Sequence, residues 1–179
     1  LGNVKKASLH DLWKNKAQKE GKCPSCMLMC GSYKDYSNDF YMRKVANIEI
    51  TSKCNLDCQM CTQKELREKE PYDMSINTFK KWINRYFDIG HVSFVGGESF
   101  INKDFFKMMR ALDQKGITYE ITTNASLINK EIIGKLQKCA GLRKINFSLD
   151  GLSTIHDKER GRGVFKKCLQ AINLTKDYF

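Results

Sequence analysis

Beyond residue 45 the chain alternates between two hydrophobic periods. Residues 45–51 carry alternating β-branched side chains, which predicts a strand. A charged helix follows near residues 62–70. Residues 75–87 place Ile76, Phe79, Ile83 and Phe87 near helical spacing. Residues 91–95 read as a second strand. Asn102 is positioned to cap a helix that runs to about Lys115 and stops at Gly116. Residues 118–122 read as a third strand, 129–139 as a helix, 144–149 as a fourth strand and 163–179 as a last helix. The texture before this is different. Residues 9–20 read as a short basic helix ending at Gly21, and residues 21–39 as a loop rich in Cys, Gly, Ser and Tyr. The pattern therefore divides the chain into a small cysteine-rich module, residues 1–41, and an α/β domain, residues 42–179.

Four strands alternating with helices imply βαβ crossovers and a parallel sheet. Right-handed crossovers curl such a sheet toward a barrel or a doubly wound layer. In both, ligands bind at the C-terminal ends of the strands. The polar and Gly-rich clusters should then follow the strands, and they do. Thr51-Ser-Lys-Cys54 follows the first, Gly96-Gly-Glu98 the second, Thr123-Asn124 the third and Asp150-Gly151 the fourth.

With 179 residues, 41% of them hydrophobic, the chain can bury a sizeable core and is not a disordered polymer. It contains no apolar run of membrane-spanning length, so no membrane partner is expected. It begins at Leu1, and its last helix reaches Phe179 without a cap or breaker, so it reads as a piece of a longer protein. The net charge of +11 comes from lysines that are scattered rather than striped, as on a soluble surface. Without an RNA-binding signature or an arginine tract, nucleic acid is not the expected partner.

The eight cysteines change the picture most. Six form two tight triplets, Cys23, Cys26, Cys30 and Cys54, Cys58, Cys61, which points to metal rather than disulfides. Cys139 and Cys168 stand alone on predicted helices and read as small core residues. The second triplet has the spacing C-x3-C-x2-C directly after the first strand. Three thiolates on one short loop can ligate three irons of a cubane and leave the fourth open. Structural zinc wants four ligands, usually as two pairs, and a ferredoxin run is C-x2-C-x2-C with a further Cys. Neither spacing is present at Cys54–Cys61.

This motif and its position resemble the radical SAM superfamily, over about residues 45 to 179. The resemblance implies a partial (βα) barrel with parallel strands. It also implies a [4Fe–4S] cluster on Cys54, Cys58 and Cys61, whose open iron binds S-adenosylmethionine. Reductive cleavage would then yield a 5′-deoxyadenosyl radical that abstracts hydrogen from substrate. Met60 stands where the family often has an aromatic residue near the adenine. Gly96-Gly97-Glu98 is similar to the family's GGE motif, which holds the methionine amino group of the cofactor. Thr122-Thr-Asn124 is similar to its Thr-Asn-Gly, with Ala125 in place of the Gly; Asn124 either lines the cofactor site or stabilises a turn. Ser148-Leu-Asp150-Gly151 is similar to S-x-D-G, with Ser148 at the cofactor and Asp150 either there or capping the turn. Arg160 matches an arginine that reaches the cofactor carboxylate, a role suited to a bidentate guanidinium. His156 reads as structural.

The N-terminal segment is similar to a twitch or SPASM auxiliary-cluster module, through Gly2-Asn3-Val4, the Leu9 to Trp13 stretch and Cys23-x2-Cys26, with Cys30 as a third thiolate. Cys23, Cys26 and Cys30 would hold an auxiliary iron–sulfur cluster or, alternatively, zinc. Such modules favour a peptide or protein substrate, and the chemistry calls for a reducing partner such as flavodoxin or ferredoxin. An oxygen-sensitive cluster fits a reducing cytoplasm. The rival reading is a non-catalytic zinc-binding module that binds nucleic acid. It accounts for the charge and for Cys23-x2-Cys26, but not for the order of motifs at the strand ends.

Overall fold

The computed structural model describes residues 44–86 and 89–176. The expected N-terminal module, with Cys23, Cys26 and Cys30, lies outside the described residues. Four strands, β1 (Lys44–Glu49), β2 (Ile89–Val95), β3 (Thr118–Thr123) and β4 (Leu142–Phe147), form one parallel sheet in the order β1-β2-β3-β4. A doubly wound sheet would reverse its order at a switch point. Sequential order with right-handed crossovers instead keeps the helices on one face, as in a barrel. The fold is thus part of a (βα) barrel.

Six α-helices accompany the strands among the described residues. They are α1 (Lys64–Lys69), α2 (Ile76–Arg85), α3 (Phe105–Asp113), α4 (Lys130–Leu136), α5 (Ser153–Arg160) and α6 (Val164–Lys176). The Ser75 and Asn129 side chains cap α2 and α4 by accepting from Thr78 N and Ile132 N. Asp104, not Asn102, is the N-cap residue of α3. Asn102 is instead drawn inward, where its Nδ2 donates to the carbonyls of Ile50 and Met74 at 3.1 and 2.9 Å. Its Oδ1 accepts from Asp104 N at 2.8 Å. The helix α5 had no counterpart in the sequence pattern.

The alternation of β3 is plain in its burial, with Tyr119, Ile121 and Thr123 buried and Thr118, Glu120 and Thr122 half-buried. Register carries this across the sheet. Ile48 pairs with Phe94, which pairs with Ile121, and these side chains pack against the helices. Phe94 sits at the centre, edge-on to Phe105 at a ring separation of 5.0 Å and near Phe79 and Tyr119. Each fully buried side chain of this size contributes about 1.5–3 kcal/mol. The opposite face is polar. Asn47 pairs with Ser93, Ser93 with Glu120, and Glu120 with Lys144. Ser93 Oγ donates to Glu120 Oε1 at 2.9 Å and ties β2 to β3.

Candidate cofactor site at the strand ends

The cysteine loop leaves β1 between two flanking segments that fix its entry. On one side Met74 N donates to Ile50 O at 2.8 Å and Ser52 N to Tyr72 O at 3.1 Å. On the other, Gly97 N donates to Thr51 O at 3.0 Å and Glu98 N to Lys53 O at 2.8 Å. Gly96 has φ 111°, a region that favours glycine. A Cβ there would fall 2.2 Å from the Glu49 Cγ, and one on Gly97 would fall 2.0 Å from the Lys53 carbonyl oxygen. The close approach these glycines permit is therefore to the entry of the cysteine loop itself.

Further along, Cys61 N donates to Cys58 O at 3.2 Å, and Gln59 N donates to Glu159 O at 2.9 Å. The second bond ties the loop to the C-terminal end of α5, which sets Arg160 beside it. One cavity of about 240 Å³ receives all of this. Cys54, Cys58 and Cys61 line it, together with Gly96, Gly97, Asn124, Ser148 and Arg160. The seven expected site residues other than cysteines fall into two groups: five on the cavity wall just named, and Glu98 and Asp150, which do not line it.

Glu98 is fully buried. Its Oε1 accepts from Thr123 Oγ1 at 2.9 Å and from Phe100 N at 3.4 Å, and its Oε2 accepts from Asn124 N at 2.8 Å. Burial pushes its carboxyl above the ordinary range, and the bonds from Asn124, Thr123 and Phe100 oppose that rise. Its carboxylate thus clamps the tip of β3 to the turn after β2. Asp150 likewise serves a neighbour. Its Oδ2 accepts from Arg160 Nε, and its Oδ1 accepts from Arg160 Nη2 at 3.0 Å. That guanidinium holds the Asp150 carboxyl below the usual carboxylate range. The fork is engaged through Nε and Nη2, which leaves Nη1 directed to no partner among the described residues. His156 is buried behind the pair, where its Nδ1 accepts from Asp150 N at 3.3 Å.

Three wall residues were not singled out from the sequence: Thr62, Gln63 and Arg67. Gln63 and Arg67 had a readable signal, since a spacing of four puts them on one helical face. Arg67 Nη1 donates to Leu56 O at 3.4 Å and Nη2 to Asp57 Oδ1 at 3.3 Å, so it also braces the loop.

The donor set fits an iron–sulfur cluster. All three cysteines are free thiols. Burial pushes the Cys58 thiol up, Arg160 pulls it down, and Cys54 and Cys61 add to the rise. Among the described residues no three Cys, His, Asp or Glu side chains converge as a single ion requires. A cubane asks only one thiolate of each iron, and soft sulfur donors suit it. Cys139 and Cys168 lie apart from this wall; Cys168 is buried in α6, within the hydrophobic core. No described helix is long and apolar enough to cross a membrane.

Comparison with known proteins places this geometry in context. The chain is 32% identical over 146 residues to the antilisterial bacteriocin subtilosin biosynthesis protein AlbA of Bacillus subtilis, covering 79% of this chain and 32% of AlbA. It is 29% identical over 132 residues to the AdoMet-dependent heme synthase of Methanosarcina barkeri, covering 72% and 38%. The chain thus spans about a third of the length of these curated relatives. Among solved structures, Streptococcus suis SuiB bound to S-adenosylmethionine matches with a TM-score of 0.61 at 25% identity, over 76% of this chain and 31% of SuiB. SuiB bound to precursor peptide SuiA matches with a TM-score of 0.59 at 25% identity, over 76% and 30%. The family profile described as the radical SAM superfamily matches residues 48–179, and the chain belongs to that superfamily.

Proposed function

We propose that this chain is the cofactor-binding core of a radical SAM enzyme that modifies a peptide. The observation that carries this reading is the meeting of three thiols, the Gly96–Gly97 backbone and Arg160 in one cavity at the strand ends. When bound, the [4Fe–4S] cluster and S-adenosylmethionine supply a 5′-deoxyadenosyl radical for hydrogen abstraction. The chain's own residues hold and orient. Cys54, Cys58 and Cys61 provide the thiolates. Asp150 fixes the plane of Arg160, whose remaining N–H groups suit a carboxylate. Ser148 and Thr122 offer hydroxyls on the same wall. Glu98 acts from behind, by holding the β3 tip in place.

The peptide part is supported by the bacteriocin-biosynthesis relative and by the SuiB complex with a precursor peptide. The polar inner face of the sheet, with Asn47, Glu120 and Asn146, suits a substrate rich in amides. Flavodoxin or ferredoxin would supply the electron, in a reducing compartment such as the cytoplasm. The family match does not support the zinc-binding, nucleic-acid-binding alternative. The test uses the whole protein, reconstituted anaerobically with iron and sulfide and reduced with dithionite in the presence of S-adenosylmethionine. Peptides encoded beside its gene are added singly and followed by mass spectrometry. A mass change in one peptide, dependent on the cofactor, is expected. Radical formation with every such peptide unchanged would refute the peptide assignment.

A further inference from the structure

We propose that Asn124 is a positioning residue for Cys54 and raises the reduction potential of the cluster through an N–H···S hydrogen bond. This rests on the reading of Cys54, Cys58 and Cys61 as the cluster ligands. Asn124 leaves β3 at the cavity wall. Its backbone N–H is fixed by the buried carboxylate of Glu98 at 2.8 Å. Its side-chain Nδ2 donates to Asn55 Oδ1 at 3.0 Å and to Cys54 Sγ at 3.7 Å. Its Oδ1 accepts from Ser126 N at 2.9 Å and from Ser126 Oγ at 2.6 Å. Ser126 Oγ in turn accepts from Asn55 Nδ2 at 2.7 Å.

This closed network fixes the direction of the amide. Turned over, Asn124 would face its NH2 against the Ser126 backbone N–H, donor to donor. The N–H edge therefore faces the sulfur. The network also uses what an amide has to offer, two N–H groups and two acceptor positions on the oxygen. The side chain keeps no uncommitted group for S-adenosylmethionine, although it lies on the same wall. Its chemistry is spent on the cysteine loop.

An N–H aimed at a ligating thiolate stabilises the form of the cluster with more negative charge. Reduction adds one electron, so the bond favours the reduced cluster and raises its potential. Removing it should lower the reduced-to-oxidised ratio about tenfold at a fixed ambient potential, which is about 59 mV for a one-electron couple.

The test compares wild type, Asn124→Ala and Ser126→Ala, each reconstituted anaerobically and titrated with a redox dye set while the reduced cluster is followed by electron paramagnetic resonance. Iron and sulfide content is measured on the same samples. Equal loading is expected in all three, with a tenfold shift against reduction in Asn124→Ala. Ser126→Ala keeps the amide but loosens it, and should shift the ratio in the same direction by less. Loaded variants with the wild-type potential would overturn the proposal. If Asn124→Ala fails to load, Ser126→Ala decides alone: a lowered potential supports the bond and an unchanged one overturns it. Wild type without any cluster would overturn the ligand reading itself, which is a distinct failure.

Discussion

An alanine at position 97 would place its methyl carbon 2.0 Å from the Lys53 carbonyl oxygen and 2.8 Å from that of Ser52. Ordinary contact begins near 3.4 Å, so the turn after β2 and the entry of the cysteine loop must part by more than about 1 Å. The obstacle is backbone, which cannot rotate aside. Two bonds bridge this gap, Gly97 N to Thr51 O at 3.0 Å and Glu98 N to Lys53 O at 2.8 Å. Each buried group left unpaired costs about 1–3 kcal/mol. Gly97→Ala should therefore cost about 3–5 kcal/mol, a large share of the roughly 5–15 kcal/mol that holds a domain folded. Gly134, inside α4, is the control with the opposite sign. A Cβ there meets nothing within 4 Å, and Ala in a helix interior gains about 0.5–1 kcal/mol over Gly. Urea denaturation followed by circular dichroism measures both. A Gly97→Ala protein within about 0.5 kcal/mol of wild type would refute the claim that these glycines serve loop packing.

Other substitutions have opposing terms to weigh. Ala125 has φ 67° and is buried. Gly there relieves about 1–2 kcal/mol of left-handed strain but loses a buried methyl and frees the unfolded chain, each worth about 0.4–1 kcal/mol. Ala125→Gly should thus be near neutral in thermal unfolding, while the β-branched Ala125→Val should be clearly destabilising. Asn102→Leu removes the side-chain partner of the Met74 carbonyl and of Asp104 N–H, while Ile50 O keeps Met74 N, and should cost about 2–4 kcal/mol in the same assay. Because Arg160 depresses the Asp150 carboxyl, the pair's contribution is full above the unfolded value of 3.8 and is lost as pH falls through the lower folded value. Asp150→Asn should therefore reduce stability at neutral pH and flatten its decline in acid, as read by denaturant midpoints across pH.

Much of this fold was legible because its signals are periodic. The strands of β3 and β1 alternate cleanly, and the polar clusters at their ends fall where a parallel sheet puts ligands. The fourth strand was read two residues late, since Leu149 is exposed and Leu142 belongs to the sheet. Helix α5 was missed because it has no apolar stripe: His156 is its one buried residue, Ile155 is exposed, and Leu152 before it offers no capping oxygen. Asn102 was read as a cap because sequence shows spacing but not direction. The inward partners of Glu98 were hidden for the same reason. A carboxylate after two glycines reads as a ligand-binding group, and its burial beneath the β3 tip depends on contacts 25 and 26 residues away.

The most direct test of the central claim is formation of 5′-deoxyadenosine. The protein and a Cys54/Cys58/Cys61→Ala triple variant would be reconstituted anaerobically, reduced with dithionite and incubated with S-adenosylmethionine. The product should form with the native triplet and be absent from the variant. A wild-type protein that carries its cluster yet yields no 5′-deoxyadenosine, or a triple variant that yields as much, would contradict radical chemistry at this site.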